Sequence, residues 1–158
     1  MGYGMPSAIG AQFGRPKDLV VAVVGDGGFQ MTMAELATAS VHKLPIKILV
    51  IDNKYLGMVR QWQGLFYDNR LSGVDLEGNP DFVKLAKAYG MKGFRIRRGA
   101  EVTQTLLEAL AYNEGPCLIW AEVAKEDNVF PMIPAGGAAE DMILELPKEK
   151  MDKPKGST

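Results

Sequence analysis

Two short apolar runs, at residues 19–24 and 46–51, are the clearest hydrophobic pattern in this chain. Runs of this length, bounded by glycine and by polar residues, are typical of buried strands. Between them, the spacing of apolar residues predicts a helix over 32–42, in which Thr32 acts as N-cap and Glu35 completes a capping box. The order strand, helix, strand predicts a βαβ unit with parallel strands.

The remaining pattern continues the alternation of helices and strands. Further helices are predicted at residues 7–13, 54–69, 79–90 and 102–113, and further strands at 93–98 and 117–123. Asn79 is predicted to cap the helix at 79–90, with Pro80 at its first position and Gly90 as its stop. The whole pattern predicts an α/β fold of three layers, α/β/α, around a mostly parallel sheet.

Composition and charge exclude several classes of protein. The 158 residues are enough for one domain with a core, and the hydrophobic fraction of 47% is ordinary for a soluble globular protein. A formal net charge of −1 gives no electrostatic case for nucleic acid or an anionic membrane, so neither is expected as a partner. Cys117 is the only cysteine and is expected to be buried, which excludes an internal disulfide and favours a cytoplasmic compartment.

Polar residues follow both apolar runs of the βαβ unit. Gly-Asp-Gly-Gly at 25–28 follows the first run, and Asp52-Asn53 follows the second. Because ligands of open α/β sheets bind at the carboxyl ends of the strands, we expect these groups to share a site. The Asp26 carboxylate and the Asn53 amide oxygen suit magnesium, and the glycines expose N–H groups to an anion. The pattern predicts a diphosphate bridged by a divalent cation.

The spacing of these two signatures carries a resemblance to a known family. Gly-Asp-Gly, 24 further residues and Asp-Asn are similar to the thiamine-diphosphate motif, which normally ends in Asn-Asn. Segments 2–11, 33–38, 56–63, 65–67 and 128–136 resemble the catalytic subunit of acetolactate synthase (acetohydroxyacid synthase). The resemblance extends to about residue 143 and covers only the last of that enzyme's three domains.

The resemblance implies a domain organisation and a set of site residues. Residues 1–126 are expected to form a thiamine-diphosphate-binding domain truncated at its start, 127–146 a carboxyl-terminal lid or arm, and 147–158 a disordered tail. The expected metal ligands are Asp26, Asn53 and the backbone carbonyl of Tyr55. The expected cofactor-binding residues are Met1, Asp26, Gly27, Gly28, Asn53, Tyr55, Leu56, Gly57 and Met58. Met58 and Trp62 are expected to shape the substrate pocket.

Asp52 departs from the family pattern, because it replaces the first Asn of Asn-Asn. An additional carboxylate beside a diphosphate repels it unless the side chain faces away or helps to hold the metal. The sequence leaves both alternatives open.

The resemblance also implies an activity and partners. The family joins two pyruvates, or pyruvate and 2-oxobutyrate, into a 2-acetohydroxyacid for branched-chain amino-acid biosynthesis. Its activating glutamate comes from the amino-terminal domain of a partner subunit, and no residue of this chain matches it, so the isolated chain is expected to be weakly active or inactive. Expected partners are the remaining domains of the catalytic subunit in a homo-oligomer, a regulatory subunit and the 2-oxoacid substrate. FAD is a further cofactor of the full-length family enzyme, with no site on this chain.

Two other functions stay open at this point. One is the cofactor-binding subunit of another thiamine-diphosphate-dependent 2-oxoacid decarboxylase, such as sulfopyruvate decarboxylase, and the other is a non-catalytic binding fragment. The segment Leu-Gly-Met-Val-Arg-Gln-Trp-Gln at 56–63 favours acetolactate synthase. A dinucleotide-binding domain is disfavoured, because residues 25–30 do not supply G-x-G-x-x-G.

Overall fold

The structure, a computed structural model, describes residues 1–125 and 127–145. It divides into two compact units. The first comprises residues 1–55 and 76–125, and the described part of the second comprises 56–75 and 127–145. The tail predicted at 147–158 lies outside the described residues.

The first unit is built on a four-stranded parallel sheet. Its strands, in the spatial order β1-β2-β4-β3, are β1 (Val21–Gly25), β2 (Lys47–Asp52), β3 (Lys92–Ile96) and β4 (Cys117–Glu122). Gly25 pairs with Ile51, so that the residues that follow them in the chain, Asp26 and Asp52, lie at the same edge of the sheet. The sheet confirms the predicted parallel α/β architecture.

Six α-helices accompany the strands in the described residues. They are α1 (Gly4–Gly14), α2 (Asp26–Gln30), α3 (Leu36–Val41), α4 (Gly57–Phe66), α5 (Phe82–Ala88) and α6 (Val102–Ala111). Helix α4 belongs to the second unit and the other five belong to the first. None of the helices in the described part of the chain is long and apolar enough to cross a membrane.

Side chains alternate between the two faces of the sheet, and each face has its own core. Along β4, Leu118 and Trp120 join the larger cluster, which includes buried residues of α1, α3 and α5. Cys117, Ile119 and Ala121 point the other way and pack with Ala109 of α6. Helices therefore cover both faces, which confirms the three-layer prediction, and Cys117 is a buried free thiol as expected.

The start of the first crossover differs from the prediction. The chain passes from β1 directly into α2. The single helix predicted at 32–42 is instead a 3₁₀ turn (Met33–Glu35) followed by the short helix α3. Thr32 forms no capping box, because its hydroxyl donates a hydrogen bond to the carbonyl of Gly2 at 3.1 Å. The Thr32 side chain therefore makes a tertiary contact and not the local cap that the sequence pattern predicts.

The start of α5 is a second correction. Its N-cap is Asp81, whose carboxylate accepts a hydrogen bond from the Lys84 N–H at 2.9 Å, and not Asn79. Asn79 instead directs its amide at the carboxyl edge of the sheet. The predicted stop is confirmed, since Gly90 has the left-handed φ of 71° that ends helices.

In the second unit, α4 holds the segment that follows residue 126. The buried side chain of Gln61 donates to the Val129 carbonyl at 2.8 Å and accepts from the Val129 N–H at 2.7 Å. Arg60 donates to the Asn128 side chain at 2.6 Å. On this helix the apolar side chain of Met58 is exposed, whereas the polar side chain of Gln61 is buried.

Candidate metal and cofactor site

Two carboxylates meet at the carboxyl edge of the sheet. Asp26 is the first residue of α2 and Asp52 is the last residue of β2, and their exposures are 1% and 2%. The side-chain N–H groups of Asn79 donate to both, to Asp26 Oδ2 at 2.7 Å and to Asp52 Oδ1 at 3.0 Å. Gln30 in turn donates to Asn79 Oδ1 at 2.7 Å. One asparagine thus bridges the two acids.

The electrostatics of this pair favour a cation. The pKa of Asp26 is raised to about 6, chiefly because the carboxyl group is buried and further because the Asp52 carboxylate lies beside it, while hydrogen bonds from Asn79 and the Gly27 backbone act in the opposite direction. Within the described residues, no ion pair includes Asp26 or Asp52. Buried carboxylates without a counter-charge are costly, and a bound divalent ion relieves that cost.

The structure shows which protein groups contact the Asp52 carboxylate. Trp120 Nε1 donates to Asp52 Oδ2 at 2.7 Å, and the Lys54 N–H donates to Oδ1 at 3.2 Å. Together with Asn79, these donors occupy both oxygens of Asp52. Asp52 therefore faces protein donors, which favours the alternative in which its side chain is turned away from the diphosphate.

Sequence reasoning missed the two side chains that hold this arrangement. The sequence pattern predicts Trp120 only as a strand residue, although a buried indole N–H requires an acceptor, and this requirement is the available signal. The sequence pattern predicts Asn79 as an N-cap, and nothing in its local sequence indicates that it reaches the strand ends.

Asn53 and Tyr55 lie in the turn that follows β2. The side-chain oxygen of Asn53 accepts a hydrogen bond from the Tyr55 N–H at 3.1 Å, which folds the turn back on itself. Lys54, between them, has a left-handed φ of 57°. Outside the turn, Lys125 lies 4.6 Å from the centre of the Tyr55 ring. The carboxylate of Glu77 accepts hydrogen bonds from the side chains of Lys54 and Lys125. The turn that presents the predicted ligands is thus fixed from both sides.

The predicted glycine contacts lie at the start of α2. Gly27 is buried and Gly28 is half-buried, and a Cβ on Gly28 would lie 3.7 Å from the backbone nitrogen of Gly2. Met1 is 71% exposed at the amino terminus. The chain at Gly28 is in ordinary van der Waals contact with the amino-terminal segment, whereas the side chain of Met1 is not enclosed.

The other predicted residues lie in the second unit. Leu56 is the N-cap of α4, Gly57 is its first residue, and both are half-buried. Met58 and Trp62 line one cavity of about 450 Å³, which places these two predicted pocket residues together. Its other lining residues are Val59, Gln63, Tyr67 and Arg70. The apolar floor and the single arginine suit a small apolar ligand with one anionic group.

The donor set at the strand ends fits magnesium. Asp26 offers a carboxylate, Asn53 an amide oxygen and Tyr55 a backbone carbonyl, which are the hard oxygen ligands that this ion prefers. No group of three or more His, Cys, Asp or Glu side chains forms a complete metal cage in the described residues. Such a partial set is typical of magnesium, which completes its shell with water and substrate phosphates.

Comparison with known proteins agrees with this chemistry. A family model described as "Thiamine pyrophosphate enzyme, C-terminal TPP binding domain" matches residues 1–121. The chain is 43% identical to the acetolactate synthase isozyme 2 large subunit of Escherichia coli over 146 residues, covering 92% of this chain and 26% of that protein. It is 44% identical to the mitochondrial acetolactate synthase catalytic subunit of Saccharomyces cerevisiae, covering 90% of this chain and 20% of that protein.

Among solved structures, the chain is similar to a thiamine diphosphate-dependent 4-hydroxybenzoylformate decarboxylase from Rhodococcus jostii. The TM-score is 0.73 and the sequence identity is 30%, over 80% of this chain and 24% of that chain. This chain spans about a quarter of the length of the relatives that it matches.

Proposed function

Because the chain belongs to the family of thiamine pyrophosphate enzymes, through their C-terminal cofactor-binding domain, we propose that it is the carboxyl-terminal domain of an acetolactate synthase catalytic subunit. The observation that carries the proposal is the placement of Asp26 and Asn53 directly after the paired strands β1 and β2. Two oxygen ligands from adjacent strand ends, with glycine backbone beside them, suit a magnesium-bridged diphosphate.

In this proposal the chain holds the cofactor and the metal. Asp26, Asn53 and the Tyr55 carbonyl bind Mg²⁺, while Gly27 and Gly28 leave room for the diphosphate. When bound, thiamine diphosphate supplies the carbanion chemistry that joins two 2-oxoacids, and the protein supplies position and electrostatics. The buried, uncompensated carboxylate of Asp26 supports this role.

The second unit supplies a surface for the substrate. Met58 and Trp62 form an apolar wall, and Arg70 lines the same cavity. The methyl group of pyruvate or the ethyl group of 2-oxobutyrate suits the wall, and the carboxylate of either substrate suits the arginine. The product of the assembled enzyme is then a 2-acetohydroxyacid, a precursor of branched-chain amino acids.

Activity requires partners in this proposal. The activating glutamate comes from another domain of a partner subunit, within a homo-oligomer that also takes a regulatory subunit and, elsewhere in the enzyme, FAD. We place the enzyme in the cytoplasm, and the free thiol of Cys117 is compatible with that reducing compartment. Formation of acetolactate, and not of an aldehyde, separates this function from that of a simple 2-oxoacid decarboxylase.

Calorimetric titration tests the proposal. Thiamine diphosphate is titrated into the chain with and without MgCl₂, and into the variants Asp26→Ala and Asp18→Ala. We expect binding that requires Mg²⁺ and weakens in Asp26→Ala beyond the roughly 10–100-fold that loss of a supporting residue accounts for. Asp18 is exposed and precedes β1, so its substitution is the matched control and leaves binding unchanged. A folded chain that binds no cofactor, or binds it without metal, contradicts the proposal.

A further inference from the structure

Asn79 is the one side chain that contacts both buried carboxylates at the strand ends in the described part of the chain. Its two N–H groups face Asp26 Oδ2 at 2.7 Å and Asp52 Oδ1 at 3.0 Å, and its oxygen is held by Gln30 at 2.7 Å. Every polar atom of its amide is therefore paired. Its own orientation is fixed, and through it the orientation of Asp26.

The anchor of this arrangement is Asp52. Its Oδ2 accepts from the indole N–H of Trp120 at 2.7 Å, and Trp120 is buried within the sheet. The guanidinium of Arg95 lies 3.8 Å from the centre of the Trp120 ring, and the Phe82 ring packs nearly perpendicular to the Trp120 ring with the two ring centres 5.4 Å apart. Asp52 is thus attached to the rigid centre of the fold.

We propose that Asn79 is a positioning residue for the metal site: it ties the Asp26 carboxylate to the anchored carboxylate of Asp52 and so fixes the direction in which Asp26 presents its remaining lone pairs to Mg²⁺. This inference rests on the proposed function, because it concerns the same metal. It adds Asn79, Asp52 and Trp120 as supporting groups that do not themselves contact the cofactor. Partners of metal ligands commonly set metal affinity in this way.

The choice of metal ion separates positioning from a merely structural role. Mg²⁺ demands nearly ideal octahedral geometry, whereas Ca²⁺ accepts irregular shells with longer bonds. A carboxylate that is free to rotate therefore loses more affinity for Mg²⁺ than for Ca²⁺. General loosening of the fold weakens both ions in parallel.

The experiment measures the concentrations of MgCl₂ and of CaCl₂ that give half-maximal binding of thiamine diphosphate to the full 158-residue chain. In Asn79→Ala we expect the Mg²⁺ requirement to rise roughly 10–100-fold. We expect the requirement for Ca²⁺ to rise less, so that the preference for Mg²⁺ over Ca²⁺ falls at least about threefold. Gln30→Ala, which loosens Asn79 and leaves both carboxylates in place, shifts both quantities in the same direction by a smaller factor.

Asn113→Ala is the matched control, because Asn113 is exposed and lies near Lys47 at the opposite end of β2. It is expected to leave both metal requirements unchanged. Metal requirements that do not move in Asn79→Ala and Gln30→Ala, or that move equally for both ions, overturn the inference while the proposed function stands. A wild-type chain without metal-dependent binding overturns the proposed function and this inference together. If Asn79→Ala does not fold, Gln30→Ala decides.

Discussion

At the scale of single residues, Asp26 and Asp52 form an arrangement that folding alone does not favour. Both carboxylates are almost fully buried, and they share Asn79 without a lysine or arginine side chain among their described partners. Burying like charges side by side raises the free energy of the folded state. Such a local conflict is typical of a functional site, where a ligand supplies the missing counter-charge.

This conflict predicts a specific dependence of stability on pH. The pKa of Asp26 is raised to about 6, whereas an unfolded Asp titrates near 3.8. Between these values the folded chain binds the proton more tightly than the unfolded chain does, so the contribution of Asp26 to stability falls as pH rises from about 4 to 6 and is constant above. In metal-free buffer, Asp26→Asn should therefore gain stability over wild type across this range, by about 2–3 kcal/mol.

Urea unfolding at several pH values, with EDTA present, measures this difference. Asn keeps the shape of the protonated acid, so that the variant reports charge and not volume. If the difference in unfolding free energy between Asp26→Asn and wild type stays constant between pH 4 and 7, the environment of Asp26 does not disfavour its charged form. Saturating Mg²⁺ and thiamine diphosphate should reverse the advantage, because they stabilise only the wild-type chain.

At the scale of elements, the sequence was informative where burial repeats regularly and uninformative where one side chain finds a distant partner. The apolar runs at 19–24 and 46–51 correspond to β1 and β2, and the parallel pairing of these two strands is the one that the crossover predicts. The candidate ligands Asp26 and Asn53 could be placed at one edge for the same reason. That these two residues lie close together follows from the parallel pairing of the strands and does not depend on how side chains pack.

The two wrong caps share one cause. Thr32 and Asn79 are both good local N-caps, yet the first binds Gly2 and the second binds Asp26 and Asp52. A hydrogen bond to a residue 30 or 53 positions away leaves no local pattern. A distant partner also explains the burial of Gln61 on helix α4. Its side chain is buried at a position where an apolar residue is expected, because the backbone of Val129 satisfies its hydrogen bonds.

The packing of α5 against β3 gives the prediction at this scale. A Cβ on Gly93 would lie 3.0 Å from Val83 Cγ1 and 3.3 Å from both the Cα and the carbonyl oxygen of Val83. Backbone atoms cannot move aside as a flexible side chain can, so Gly93→Ala must push α5 away from the sheet. We expect a loss of about 1–3 kcal/mol in the free energy of unfolding.

Gly10→Ala is the control for this substitution, since a Cβ there meets nothing within 4 Å and the position lies inside α1. Alanine is the better helix former, so this variant should gain about 0.5–1 kcal/mol. Urea unfolding of both variants gives the comparison. Equal effects of the two substitutions would argue against close contact between α5 and β3.

At the scale of the whole molecule, the fold and the cofactor class follow from the sequence. Whether the chain can activate the cofactor depends on the hydrogen-bond partners of its carboxylates. The resemblance to thiamine-diphosphate enzymes is confirmed by the family match over residues 1–121. An acid that activates the cofactor needs a pKa near the working pH and freedom to transfer a proton. In the first unit, Asp26 and Asp52 are bonded to Asn79, and hydrogen bonds from Lys125 and Lys54 lower the pKa of Glu77.

These assignments predict cofactor binding without turnover. With saturating Mg²⁺ and thiamine diphosphate, the isolated chain should form no detectable acetolactate from pyruvate, while a full-length acetolactate synthase assayed in parallel does. Addition of a chain that carries the remaining domains should restore product formation, and the restored activity should be lost again in Asp26→Ala. Acetolactate formed by the isolated chain would mean that one of its own acids activates the cofactor, and Glu77, released from its lysines, would be the first to substitute.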